Sequence, residues 1–582
     1  MPASYLKTVF GAALVALIST GAAPAQAQAV PGATQLAPTR EEIDRRPGEQ
    51  APGGARLKVE GDIERAPCAL DDPSYADIKV TITEAQFNNL QGVSPAELRP
   101  TYAALLGADR PISTICTIRD VVATLLRHKG YLAAVQVPTQ RIENGIVRFE
   151  VLFAKIVAVR VRGNAGNSEK LLASYLERLT KDKVFNRYNA ERYLLLSRDL
   201  PGMDVRLALK PAGTVPGELV GEVSVVRTPF DADLGIQNYA SKTTGRWSGT
   251  LGARAYGLLG MGDRLSGSVS STADAKEQQI AQLGYDMRLG GDGVTIGGNL
   301  TYAWTAPAIA GADIKARTLF ATGKVSYPFI RSQALTLVGS AGLDYLDQTV
   351  RLVPTGGSAT PIIRDHLRVG FLRLDVDAAD IAEDRMPNWR AFGSIEFRQG
   401  LDIFSASSRG STGGVATSRT GGDPTSSVVR ASGSFEFRAG SAGWIAILPR
   451  GQYAFTQLLS FEQYSGGNYS VGRGYDPGAV IGDSGIGSGV ELRLNRFAPF
   501  PKTNLSIQPF LFGDGAWVWD KVGGGKDHLF SLGGGVHALF NGRFRLDATL
   551  AIPMSTLNGQ TDRPDPRFLI SFSTKLWPWS AQ

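Results

Sequence analysis

The residues of this chain that could do chemistry are few and oddly placed. Gly472-Arg473-Gly474-Tyr475 sets a guanidinium and a phenol among glycines, inside a Gly/Pro-containing stretch that runs from Ser470 to Ala479. Such a composition reads as a loop. Taken alone, Arg473 is either a solvated loop charge or half of a buried ion pair, and only the position of the loop decides between them. Further on, Phe510, Phe512 and Asp514 recur at every second position of an apolar run. No catalytic centre emerges from the rest. There is no Gly-x-Ser-x-Gly elbow for a hydrolase. The run Gly523-Gly524-Gly525-Lys526 lacks the Ser or Thr that must follow the lysine of a phosphate-binding loop. His128, His366, His528 and His537 are scattered without metal-site spacing, and no carboxylate pair stands out as acid and base. The expectation is a protein that is not an enzyme, with no cofactor and no metal.

The elements that position these residues begin with a targeting segment. Lys7 is followed by a nearly continuous apolar run from Thr8 to Ala23 and then by Ala25-Gln26-Ala27. This is the pattern of a cleaved signal peptide, here residues 1–27. In an oxidising compartment the only two cysteines, Cys68 and Cys116, read as one structural disulfide; inside the cell they would more often be free thiols. A net charge of +7 over 582 residues, with charges interleaved among apolar residues, gives no nucleic-acid surface. Residues 28–66 read as a linker, either without regular structure throughout or with a short polar plug helix from Pro38 to Arg46. From about 67 to 228, strand and helix periodicities alternate in the order β-α-α-β-β twice over, which divides the region into units at 67–153 and 154–228. Within them "IKVTITEA" reads as one strand, Asn144-Gly145 as a turn, and "NAERYLLLSRDL" as a helix capped by Asn189.

From 229 to 582 the helical period disappears. Segments of about ten residues alternate apolar and polar: Val429, Ala431, Gly433, Phe435 and Phe437 share one face, with Arg430, Ser432, Ser434, Glu436 and Arg438 on the other. Small and charged residues at every second position over so long a stretch fit a transmembrane barrel, apolar towards lipid and polar within. Closure follows because lipid offers no partner to an unpaired strand edge. The expected strands begin near residues 231, 246, 264, 278, 292, 316, 335, 366, 388, 425, 443, 486, 505, 528, 543 and 567, which makes sixteen. Trp517, Trp519, Trp577 and Trp579 suit the interfacial girdles. Connections from odd to even strands then face outward, among them the Gly/Ser-rich stretch 405–427. The Arg473 loop falls between strands eleven and twelve. On strand thirteen Phe510, Phe512 and Asp514 point inward and Leu511, Trp517 and Trp519 outward. A lumenal carboxylate needs a cation, and the arginine fork suits it.

Two β-α-α-β-β units ahead of a sixteen-stranded barrel resemble the two-partner secretion outer-membrane transporters (TpsB), the haemolysin secretion/activation proteins, with their two POTRA domains. The supporting motifs run the length of the chain. Pro67-Cys68, Cys116, "HKGY" and "VPTQRIENGIVRFEV" resemble the first POTRA domain with its disulfide. "NYASKTTGRWSG", holding Asn238, Tyr239, Thr244 and Gly245, and "LLGMGDRL", holding Gly260, Gly262 and Asp263, resemble the family's entry into the barrel. "IGDSGIGSGVELR" is similar to the strand after the long loop. "GRGY" is similar to the family's Val-Arg-Gly-Tyr loop, which folds back into the lumen, and "PFLFGDGAW" to the Phe-x-Asp-x-Gly strand that receives its arginine. Two departures, Gly472 for valine and Ala516 for glycine, predict a looser loop. The resemblance implies a Gram-negative outer-membrane pore with its POTRA domains in the periplasm. Its partners would be a TpsA-type exoprotein (a large β-helical adhesin or haemolysin), outer-membrane lipids and, during biogenesis, the barrel assembly machinery. Nucleic acid is not expected. An outer-membrane assembly factor and a small-solute porin are the alternative readings.

Overall fold

A computed structural model describes residues 36–44, 67–213, 215–309, 311–354, 357–381, 387–500 and 503–578. The expected signal peptide, Trp579 and most of the 28–66 linker lie outside the described residues.

The first α+β module is built on the helix Thr114–His128, whose Ile115, Ile118, Val122 and Leu126 recur at helical spacing and are all buried. They pack on a three-stranded sheet in which Glu84–Asn88 runs parallel to Ile146–Phe153, with Ala133–Gln136 antiparallel on its other side. The helix Pro95–Tyr102 starts with a capping box between Ser94 and Glu97. Cys68 is bridged to Cys116, which ties the N-terminal edge of the module to this core. "IKVTITEA" is two strands rather than one. Lys79–Thr81 pairs with Asp109–Pro111 in a sheet of its own, and Ile82 turns into the core at the break. Asn144 and Gly145 both take positive φ, as a tight turn requires.

The second module repeats the topology. Lys155–Gly163 runs parallel to Glu218–Arg227, and Met203–Pro211 is antiparallel to it. Its long helix is Arg187–Arg198, capped by the Asn186 side chain, which accepts from the Tyr188 N–H, and not by Asn189. The segment "SEKLLASYLERL" forms two short helices, Glu169–Leu176 and Arg178–Lys181.

The remainder closes into an antiparallel barrel of sixteen strands, from Phe230–Gln237 to Arg567–Trp577, with a two-residue extension at Ala308–Ile309. The first and last strands pair directly, so the ladder has no free edge. Strand starts fall within a few residues of expectation, but strands six to eight run 20, 19 and 20 residues. That is about twice what a tilted strand needs to cross a bilayer, so these three stand beyond it. The second module is docked on the even-to-odd turns. Asp199 accepts Arg331 Nε and Nη2 at 2.6 and 2.7 Å, and Glu191 accepts the Gln333 N–H at 2.8 Å. The odd-to-even loops lie at the opposite end.

Candidate functional site

The connection between Gly443–Ala454 and Ser484–Leu494, strands eleven and twelve, does not stay outside. It forms a small hairpin, Tyr464–Gly466 against Val480–Gly482, whose Tyr464, Val471, Tyr475 and Val480 are buried against Ala516, Val518 and Leu529 of the wall. On strand thirteen the alternation is as expected. Leu511 and Trp517 are 63% and 54% exposed, towards lipid, while Asp514 is 3% exposed, towards the lumen.

Arg473 and Asp514 are brought together, but the contact is divided. Asp514 accepts the backbone N–H of Arg473 at 3.2 Å and a hydrogen bond from the Ser531 hydroxyl. The guanidinium lies over the Phe512 ring, 4.3 Å from its centroid. From there it donates to Glu491, while its Nε stays 3.6 Å from Asp514. Glu491 also accepts from Arg493 Nε at 2.6 Å, so one buried carboxylate serves two arginines. Glu491 was legible in the alternation, since its neighbours Val490 and Leu492 face lipid.

Around the arginine the loop is tight. Gly472 has φ of +112°, and a Cβ there would lie 2.4 Å from Leu529 Cδ1, so glycine is required and the residue loosens nothing. Gly474 donates its N–H to Ser531 Oγ at 3.2 Å. The Tyr475 hydroxyl accepts the Ser555 N–H at 2.8 Å and lies within hydrogen-bond reach of the Phe530 and Ser555 carbonyls. Ala516 is fully buried, with its Cβ already against the sites of Gly466 and Gly487, so the methyl group fills space instead of opening it.

A second occupant of the lumen is the helix Arg40–Asp44. Its start is a Thr39–Glu42 capping box: Thr39 N–H donates to Glu42 Oε2 at 2.8 Å, and Glu42 N–H reaches Thr39 Oγ1 at 3.4 Å. This Thr-x-x-Glu signal was readable in the sequence. Ile43 is buried among Phe320, Leu346, Leu367, Val369, Leu459 and Phe461. Arg40 donates to Glu462 at 2.9 Å and to Asp344 at 3.3 Å. Those carboxylates belong to a larger cluster. The fully buried Arg398 donates to Glu462, Asp344 and Glu396, each at 2.9 Å, and Arg430 donates to Glu462 at 2.9 Å. With Arg373 3.6 Å from Glu396, four arginines face these three carboxylates, and Glu462, on the descending limb of the lumenal loop, is shared by helix, loop and wall.

At the external end Asp483, fully buried, accepts the N–H groups of Leu458 and Lys521 at 3.0 and 2.9 Å. It also pairs with Arg419 of the 405–427 loop.

The remaining expected residues form no single site with these. Asn238 clamps the seam, donating to the Phe568 carbonyl at 2.8 Å and accepting the Ile570 N–H at 2.7 Å. Tyr239 packs against the cluster of Phe510, Phe512, Ala551 and Leu569, and Thr244 and Gly245 shape the same external turn. At the other end Asp263 caps its turn by accepting the N–H groups of Leu258, Leu259 and Met261. Gly260 and Gly262 take positive φ there and press on Asn167 and Leu200 of the second module. Among the described residues the one group with metal-ligating spacing is Cys68, Asp71 and Cys116, whose thiols are consumed in the disulfide.

Comparison with known proteins agrees with this architecture. The family model for haemolysin secretion/activation protein ShlB/FhaC/HecB matches residues 223–348 and 376–538, and that for the ShlB-type POTRA domain matches 80–153. The heme/hemopexin transporter protein HuxB of Haemophilus influenzae is 24% identical over 234 residues, 39% of this chain and 40% of that relative. The match thus spans less than half the length of this curated relative. CdiB from Escherichia coli superposes with a TM-score of 0.68 at 16% identity, covering 89% of this chain and 94% of that one. CdiB from Acinetobacter baumannii gives 0.60 at 18% identity, with 92% and 95% covered. BamA from Haemophilus ducreyi lacking POTRA domains 1–3 gives 0.50 at 15%, covering 86% of this chain and 100% of that one. With family models covering both the first module and most of the barrel, the chain belongs to the haemolysin secretion/activation (TpsB-type) family of outer-membrane POTRA-plus-barrel proteins, its POTRA region on the periplasmic side.

Proposed function

We propose that the protein conducts an unfolded partner polypeptide from the periplasm to the cell surface. The observation that carries this reading is what fills the lumen. A pore-sized barrel is occupied by a helix and a loop, both tethered segments that can be withdrawn, whereas a structural core would be made of wall side chains alone. The periplasmic modules offer sheet edges, at Glu84–Asn88 and Ala133–Gln136 in the first and at Lys155–Gly163 and Met203–Pro211 in the second, to which an extended segment can add as a further strand. Folding of the partner outside supplies direction, and no nucleotide is consumed. The partner is a secreted exoprotein of the TpsA type.

The test is secretion of a co-expressed exoprotein from a strain lacking this chain, with the chain restored in trans. Secretion that does not depend on the chain refutes the proposal. Loss of other barrel proteins from the outer membrane in the same strain would favour an assembly factor instead. Arg473→Ala at normal barrel abundance is expected to impair secretion; undiminished export would mean that the tethered loop is dispensable.

A further inference from the structure

The N-terminal helix is held by two side chains three residues apart, and each has a socket built for it. The Arg40 fork spans two separate carboxylates, Glu462 with Nη1 and Asp344 with Nη2, at 2.9 and 3.3 Å. A single ammonium lacks that reach and planarity. Ile43 fills the apolar socket of six wall and loop residues. Between them Glu41 meets Arg450 at 3.3 Å. Recognition therefore reads Arg-Glu-x-Ile on one helical turn.

Withdrawal of the helix changes this place in two ways. Arg398 and Arg430 remain against Asp344, Glu396 and Glu462, with Arg373 3.6 Å from Glu396, while the departure of Glu41 releases Arg450, so an anionic and a cationic contact open side by side. The apolar socket is left facing water, which is unfavourable. A cavity of about 530 Å³ adjoins the position, lined by Arg40, Glu41, Glu396, Arg430, Arg450 and Tyr464 among others, and gives a second chain room to approach.

We propose that the lumen carries a binding site for a short peptide segment that presents an arginine and a branched apolar residue three positions apart, of which the N-terminal helix is the resident occupant and a segment of the polypeptide in transit the competitor. This rests on the transport reading and deepens it. The helix is then a mimic of cargo, and a passing segment of matching spacing stabilises the open pore by taking its place. Segments that place a carboxylate where the Arg40 guanidinium sits are disfavoured by Asp344 and Glu462.

The experiment uses a fluorescent peptide with the sequence of residues 36–46 and the purified full chain carrying Arg40→Ala and Ile43→Ala, which weaken the resident. Saturable binding is expected. A peptide in which Arg40→Glu or Ile43→Ser is introduced should bind at least about tenfold more weakly, the loss expected for a charge-assisted contact or a filled socket. An unrelated peptide with the same Arg-x-x-Ile spacing should compete, and its scrambled version should not. Equal binding of the native, charge-reversed and scrambled peptides overturns the proposal. If the double variant does not fold, the same peptides are applied in excess to the unaltered chain in planar bilayers. Only the matching ones should then lengthen open times, and no difference among them overturns the proposal equally. Secretion with no peptide discrimination removes this site but leaves transport standing. Discrimination without secretion does the reverse.

Discussion

Ile43→Ala isolates the contribution of a single side chain to closing the pore. The side chain is 1% exposed among six apolar neighbours. Truncation removes three carbons, at about 0.8 kcal/mol each by transfer. Core substitutions of this kind cost about 2–5 kcal/mol when a cavity is left. Here the lumen admits water to the gap, which places the loss near the lower end, about 2 kcal/mol. At 1.4 kcal/mol per decade, helix docking should weaken about 30-fold. Arg40→Ala should do less, about 1 kcal/mol, because Asp344 and Glu462 keep Arg398 and, for Glu462, Arg430, so that no charge is left buried alone. Single-channel recording of the purified chain in planar bilayers measures the open fraction, with heat-modifiable gel mobility as the check on barrel folding. Ile43→Ala should raise the open fraction by an order of magnitude and exceed Arg40→Ala. An open fraction unchanged in a folded Ile43→Ala barrel refutes the claim that this socket holds the pore shut.

Restoring the family's valine at the loop should damage it. Gly472→Val puts a branched residue at φ of +112° with its Cβ 2.4 Å from Leu529, and is expected to expose the loop to added protease while leaving the barrel heat-modifiable. The Cys68–Cys116 bridge spans 48 residues of sequence, and constraining a loop of that size lowers the unfolded-state entropy by about 4 kcal/mol on the chain-entropy estimate. Reduction should therefore lower the melting temperature of the first module and leave barrel mobility unchanged. In the same module the Lys129 ammonium, followed by the Ser94 N–H and hydroxyl, holds the Glu97 carboxyl down to about 2 from its usual 4.5. A depressed folded value means stability that is present above pH 4.5 and lost as pH falls towards 2. Melting curves between those limits should show a shallow loss that Glu97→Gln removes, small because the pair is solvent-exposed.

How far the fold could be read from the chain follows from which forces act locally. Period-2 alternation is imposed on each strand by lipid on one side and water on the other, so Asp514, Leu511 and Trp517 could be assigned to faces residue by residue. Pairing between successive strands is local as well, and the number sixteen followed from counting. What escaped depends on partners distant in sequence. Arg473 was expected on Asp514, but its guanidinium is drawn over Phe512 to Glu491, a choice set by where the loop enters the lumen. Arg398 and Glu396 could be called inward from their exposed neighbours Ile395 and Phe397. Their meeting with Arg40 and Glu462 could not, since it joins residues about 420 apart. The break at Ile82 was hidden because a strand that changes sheets keeps its alternation on both sides. Asn186 and Asn189 can both cap, and the buried Phe185 directly before Asn186 is the signal that marks the earlier start.

Asp483 joins the outer cover to the lumenal loop through one carboxylate, which receives Arg419 from the cover, Leu458 from the descending limb and Lys521 from the neighbouring external turn. Three segments that share a single buried anion do not come apart one at a time at equal cost. Once the first leaves, the anion has lost a partner and the hold on the others is altered. Cover and loop are also joined directly, Arg419 to the Leu458 carbonyl at 2.9 Å and the Ser460 N–H to Ser418 Oγ at 3.0 Å, so release of either segment disturbs the hold on the other.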